Sequence, residues 1–73
     1  MFDQIRQAVH DAALRCEKMA MFHFQVLKFA TALDRVDPAS FCRTIGVPEA
    51  YQTEFRKMLN LARVMREQGA RLP

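Results

Sequence analysis

Asp37-Pro38-Ala39-Ser40-Phe41-Cys42-Arg43-Thr44-Ile45-Gly46-Val47-Pro48-Glu49 is the stretch whose punctuation decides the architecture. It holds two of the chain's three prolines and one of its two glycines. A residue before proline is pushed out of helical geometry, so Asp37 ends whatever helix precedes it. The same dipeptide starts a new one. The Asp37 carboxylate can accept the free N–H groups of a first turn, and Pro38 suits the first helical position, where no N–H is needed. The spacing predicts a helix over 38–45 with Phe41, Cys42 and Ile45 inward. Gly46 ends it in the left-handed conformation that glycine adopts without penalty. Val47-Pro48-Glu49 opens a further helix, with Pro48 in the first turn and Glu49 at the positive end of the dipole.

Downstream, Tyr51, Phe55, Met58, Ala62 and Met65 recur at alternating steps of four and three, one stripe on a helix. Leu59, Leu61 and Val64 thicken that stripe. Gln52, Thr53, Arg56, Asn60, Arg63 and Glu67 fall on the opposite side. Gly69 ends the helix, and Ala70 to Pro73 reads as a frayed tail.

Upstream, the first 36 residues contain neither Gly nor Pro. Phe2, Ile5, Val9, Ala12, Cys16 and Met19 form a second stripe, with Asp3 placed to cap it. Past Met19 the stripe slips and widens, leaving a polar ribbon around Gln25, Lys28, Thr31 and Arg35. A helix apolar on most sides is buried on most sides, so residues 22–36 are expected to form the central helix. A break near Lys18 to Met21 is expected, although one continuous helix over 1–36 also fits the pattern. The Phe2–Met19 stripe needs a cover. It can fold back on its own core or pair with a second copy, and the expectation adopted is a homodimer seam through Phe2, Ile5, Val9, Ala12, Cys16 and Met19.

The chain is thus read as all-α, one small helical domain of 73 residues. Residues 1–20 form its N-terminal helix, 21–68 its core and 69–73 its tail. Hydrophobic residues make up 51% and charged residues 26%, which excludes a disordered segment. Two cysteines cannot build a disulfide scaffold. The longest unbroken apolar stretch is Met19 to Phe22, far short of the ~20 residues of a membrane span. No export signal is visible at the N-terminus, so a cytoplasmic location is expected. The net charge is +3, and its placement is uneven. Residues 1–37 balance five cations with five carboxylates, whereas residues 38–73 set Arg43, Arg56, Lys57, Arg63, Arg66 and Arg71 against Glu49, Glu54 and Glu67. A basic half joined to a neutral half points to a polyanion-facing surface on a packing scaffold.

Two helices joined through a glycine turn resemble the helix-turn-helix unit of bacterial transcription regulators. The likeness is carried by residues 39–55, within a unit spanning 38–68. Gly46 stands at the corner, Cys42 is the small residue four positions earlier, Ile45 and Val47 flank the glycine, and Phe55 is the apolar anchor nine positions after it. Where the family carries an aliphatic residue six positions after the glycine this chain has Gln52, and Tyr51 takes the inward role. The resemblance implies a recognition helix in the major groove of double-stranded DNA. Gln52, Thr53 and Arg56 would then face bases, and Arg43, Lys57 and Arg63 would reach phosphates, as would the helix start near Ser40. It also implies a small transcriptional regulator or accessory factor working as a dimer. The competing reading is a helical interaction module that binds a protein partner and no nucleic acid.

Catalytic and metal chemistry find no foothold. Cys16 and His23 lie two turns apart, ~10 Å along a helix, too far for one ion. Both cysteines read as small core residues, and His23 as a core-edge histidine satisfied by a backbone carbonyl. Ser40 sits where serine caps helices, no paired carboxylates lie in apolar surroundings, and no Gly-rich phosphate loop exists. The expectation is no enzyme, no cofactor and no metal.

Overall fold

The computed structural model describes residues 1–69 and realises the Asp37–Glu49 punctuation closely. The Asp37 side chain accepts the Ser40 N–H at 2.9 Å, and Pro38 occupies the first turn of a helix that ends at Ile45. Gly46 follows with φ 82° and ψ 37°, the left-handed conformation. Val47 N–H reaches back to Cys42 O at 3.1 Å, closing the end of the helix. In order, the elements are α1 (Phe2–Ala13), α2 (Lys18–Lys28), α3 (Ala30–Leu33), α4 (Pro38–Ile45) and α5 (Tyr51–Glu67). Gly69 is again left-handed just past the end of α5. The expected tail at Ala70–Pro73 lies outside the described residues.

The N-terminal half departs from the sequence reading in several places. The break falls at Leu14–Glu17, one turn before the expected Lys18–Met21. Its device is the one used after α4. Cys16 takes φ 60°, and Glu17 N–H reaches back to Ala12 O at 2.9 Å while Cys16 N–H reaches Ala13 O at 3.2 Å. The pair is the glycine-type helix ending, and it shares with the end of α4 the positive φ and the bond reaching back five residues. It sits on a cysteine, so no glycine announced it. Beyond it, the central helix begins at Lys18 and is interrupted at Phe29 (φ −105°), which turns Ala30 and Leu33 into the core. Gln25, assigned to the polar ribbon, is buried, with its Nε2 3.4 Å from Met21 Sδ. Asp3 is not the cap of α1. It lies inside the first turn and pairs with Arg6.

The homodimer seam assigned to α1 is corrected by burial within one chain. Ile5, Val9 and Ala12 are each 0% exposed, and Phe2 packs its ring 6.1 Å from Phe41. These residues cover their own core, in contact with α2 and α4. Cys16 lies in the reversal and Met19 beyond it, and both are exposed. The stripe read from the sequence thus crosses a turn, and its buried part has no face left for a second copy.

The core joins Ile5 and Val9 of α1, Phe22 and Val26 of α2, Leu33 of α3, Phe41, Cys42 and Ile45 of α4, Val47, and Phe55 of α5. Its centre is aromatic. Phe41 stacks on Phe55 at 4.5 Å, and Phe22 meets Tyr51 edge-on at 5.0 Å. Such pairs add about 0.5–1.5 kcal/mol beyond the area they bury. They also set the angle between α4 and α5, because Phe41 and Phe55 come from those two helices.

Candidate nucleic-acid interface

Gly46 to Ala50 carries the chain from α4 to α5. The expected start of α5 at Pro48 moves to Tyr51, because residues 48–50 form a tight entry turn. Tyr51 N–H bonds Pro48 O and Gln52 N–H bonds Glu49 O, both at 3.0 Å. The corner is held from outside by α1. His10 Nε2 donates to Ile45 O at 3.1 Å, and Arg6 Nη1 donates to Thr44 O at 3.4 Å. These carbonyls belong to the last turn of α4, where the helix itself supplies no donors. A Cβ at position 46 would stand 3.4 Å from His10 Nε2, an ordinary contact, so it is the positive φ that favours glycine there. His10 thus takes the carbonyl-bonding role expected of His23.

His23 instead ties α2 to α5. Its Nε2 lies 2.8 Å from Glu54 Oε1, and Lys57 Nζ lies 3.4 Å from Glu54 Oε2. The hydrogen bond from His23 holds the Glu54 carboxyl below its usual range against a smaller opposing effect of desolvation, with Lys57 assisting. Glu54 is thereby turned toward partners of its own chain, which leaves its carboxylate engaged by His23 and Lys57. Lys57 shares its charge with that carboxylate while remaining exposed.

The inner face of α5 buries Phe55 and Ala62 and half-buries Tyr51, Met58, Leu59 and Met65. The outer face exposes Thr53, Arg56, Lys57, Asn60, Arg63 and Arg66. The candidate DNA-facing residues separate into groups. Arg43 and Gln52 line a cleft of ≈ 200 Å³ between α4 and the start of α5, beside Glu49. Gln52 is half-buried there, and Arg43 Nη2 donates to Ser40 Oγ at 3.2 Å. Arg56 and Arg63 line a second cleft of ≈ 370 Å³ with Asp34, Leu59, Asn60 and Arg66. Thr53 and Lys57 are exposed and line neither cleft.

The α4 N-terminus, expected to receive a phosphate near Ser40, is already engaged by Asp37. The Ser40 N–H, helped by its hydroxyl, draws the Asp37 carboxyl below its usual range. Two features escaped the sequence reading. Arg66 belongs to the cationic side, and its position three residues after Arg63 was a usable signal. Arg6 and His10 brace the corner from α1, and no local pattern reveals partners that lie 38 and 35 residues away. Cys42 is the small core residue expected, its thiol pushed up by burial and by the charge of Glu49. Cys16, expected in the core, is on the surface.

No helix among the described residues is long and apolar enough to cross a membrane. No curated protein and no solved structure gives a match to the chain. A family model does: its match runs over residues 1–68, from the first residue of the chain through the whole of α5, well beyond the 39–55 segment that carries the helix-turn-helix likeness. With five helices among the described residues packed on one core and a left-handed glycine at the corner between α4 and α5, the chain belongs to the HTH-like domain family.

Proposed function

We propose that this protein is a small DNA-binding regulator of transcription, or an accessory factor to one, without catalysis, cofactor or metal, and that it works in the cytoplasm. The observation that carries the reading is the outer face of α5, which presents Thr53, Arg56, Lys57 and Arg63 to solvent while its inner face is locked by Phe55. In this reading the N-terminal turns of α5 enter the major groove. Gln52, Thr53 and Arg56 face base edges, and Arg43, Lys57 and Arg63 face phosphates. One unit offers few contacts, so two copies on two half-sites are part of the proposal, paired through a surface other than the inner face of α1. A salt titration of duplex binding tests it. Affinity should fall steeply from low to moderate salt, and Arg56→Glu should abolish binding while the far-UV spectrum stays unchanged. Binding indifferent to both would sink the reading. A light-scattering mass of one chain on a single-site duplex would reject pairing.

A second reading draws on the apolar residues left in water, Phe24, Leu61 and Val64 among them. In this case the domain docks on a larger regulator. A stable complex with a protein partner, together with no measurable duplex affinity, would favour it.

A further inference from the structure

We infer that the cleft lined by Arg56, Asn60, Arg63 and Arg66 clamps consecutive phosphates of one nucleic-acid strand through Asn60, Arg63 and Arg66, with Arg56 kept for base edges, and that Asp34 on its wall weakens that grip. The inference rests on the DNA reading above and extends it from the start of α5 to its end.

Three guanidinium groups and one carboxamide come from a single face of one helix. Arg56 to Arg66 covers ten residues, ~15 Å of helix. Among the described residues none of the three arginines is ion-paired, whereas Arg6, Arg15 and Lys57 each have a carboxylate partner. Like charges gathered on one wall without internal partners are an arrangement that an external anion stabilises. The cleft, ≈ 370 Å³ and open to solvent, follows those ~15 Å of helix, a length over which one inorganic phosphate cannot engage every cation. The lining is also wrong for an apolar small molecule, since Leu59 is its only apolar side chain. An extended anion fits both facts. Guanidinium forks match phosphate oxygens two at a time, and Asn60 can donate between them. Asp34, at the end of α3, is the one carboxylate of the wall and forms no ion pair among the described residues, although it lines the cleft with the three arginines.

The test is anisotropy of a labelled duplex titrated with the full chain at several salt concentrations. Arg63→Gln/Arg66→Gln removes two exposed charges from the clamp and should leave the helical spectrum intact. The slope of log affinity against log salt should shrink by about 1.8, at ~0.9 per phosphate contact, with the ratio of affinities for two unrelated duplexes unchanged. Asp34→Asn should raise affinity several-fold. A wild-type chain that binds duplex with a slope the double variant retains overturns the clamp and leaves the DNA reading standing. A wild-type chain that binds no duplex ends both. A third arm adds inorganic phosphate and follows arginine Nε–H resonances. Submillimolar saturation that the double variant loses, with duplex binding unaltered, makes this a small-anion site and overturns the clamp.

Discussion

The chain reverses twice by the same hydrogen-bond device, after α1 at Cys16 and after α4 at Gly46. Both residues have positive φ, 60° and 82°, and in both the next N–H reaches back five residues to a helix carbonyl. The surroundings differ. After Gly46 comes Val47, buried against the core, and the corner is braced by His10 and Arg6. After Cys16 comes Glu17, exposed and paired only with Arg15 at 3.6 Å. The Gly46 corner positions the outer face of α5. The Cys16 corner only has to return the chain. The same backbone geometry can therefore be a tightly held joint or a loose one, depending on what packs around it.

The comparison can be broken most severely through α1. Val9→Asp places a carboxylate where the chain is fully buried, a cost above the ~3–5 kcal/mol that a core this size supplies. A circular-dichroism melt should show no cooperative transition. Cys16→Asp, on what reads in sequence as the same stripe, should melt like wild type. Equal damage from both would restore the continuous stripe and its dimer seam. At the corners themselves, Gly46→Ala should cost about 1–2 kcal/mol, since alanine dislikes the positive φ. Cys16→Gly should be neutral or stabilising by up to about 1 kcal/mol, because strain is relieved against the added entropy of the unfolded chain.

Thiol labelling sharpens the contrast without touching the fold. Cys16 should react with a disulfide reagent at once, and Cys42 only at the rate of unfolding, because its thiol is buried and its ionisation is pushed up. The smallest expected effect is acid-dependent. Glu54 has its carboxyl lowered from 4.5 by His23, so its contribution is present above that value and is lost as pH falls through the lowered folded pKa. Glu54→Gln should flatten the acid limb of stability measured by denaturant melts below pH 4.5. An unchanged limb would mean that the α2–α5 tie contributes nothing.

Much of the C-terminal half is legible in the sequence alone. Asp37-Pro38 and Gly46 each act within one turn of backbone, so local chemistry determines them wherever they occur. The 4-3 spacing of Tyr51, Phe55, Met58, Ala62 and Met65 identifies the inner face of α5 for the same reason. The left-handed turn at Cys16 left no such mark, because a residue that tolerates the conformation at a cost looks like any other member of a stripe.

By itself the sequence determined that the C-terminal half is helical, where its helices stop and the centre of each apolar stripe, because these follow from steric and hydrogen-bond preferences a few residues long; Leu61 and Val64, expected to thicken the stripe of α5, are exposed. Tertiary packing alone decided that α1 covers its own core, that His10 and Arg6 seal the end of α4, that His23 takes Glu54 as partner, and that Arg56, Asn60, Arg63 and Arg66 share one cleft with Asp34. Periodicity names the buried face of a helix and leaves its partner open, since burial rewards any apolar surface that arrives and the winner is chosen by the path of the whole chain.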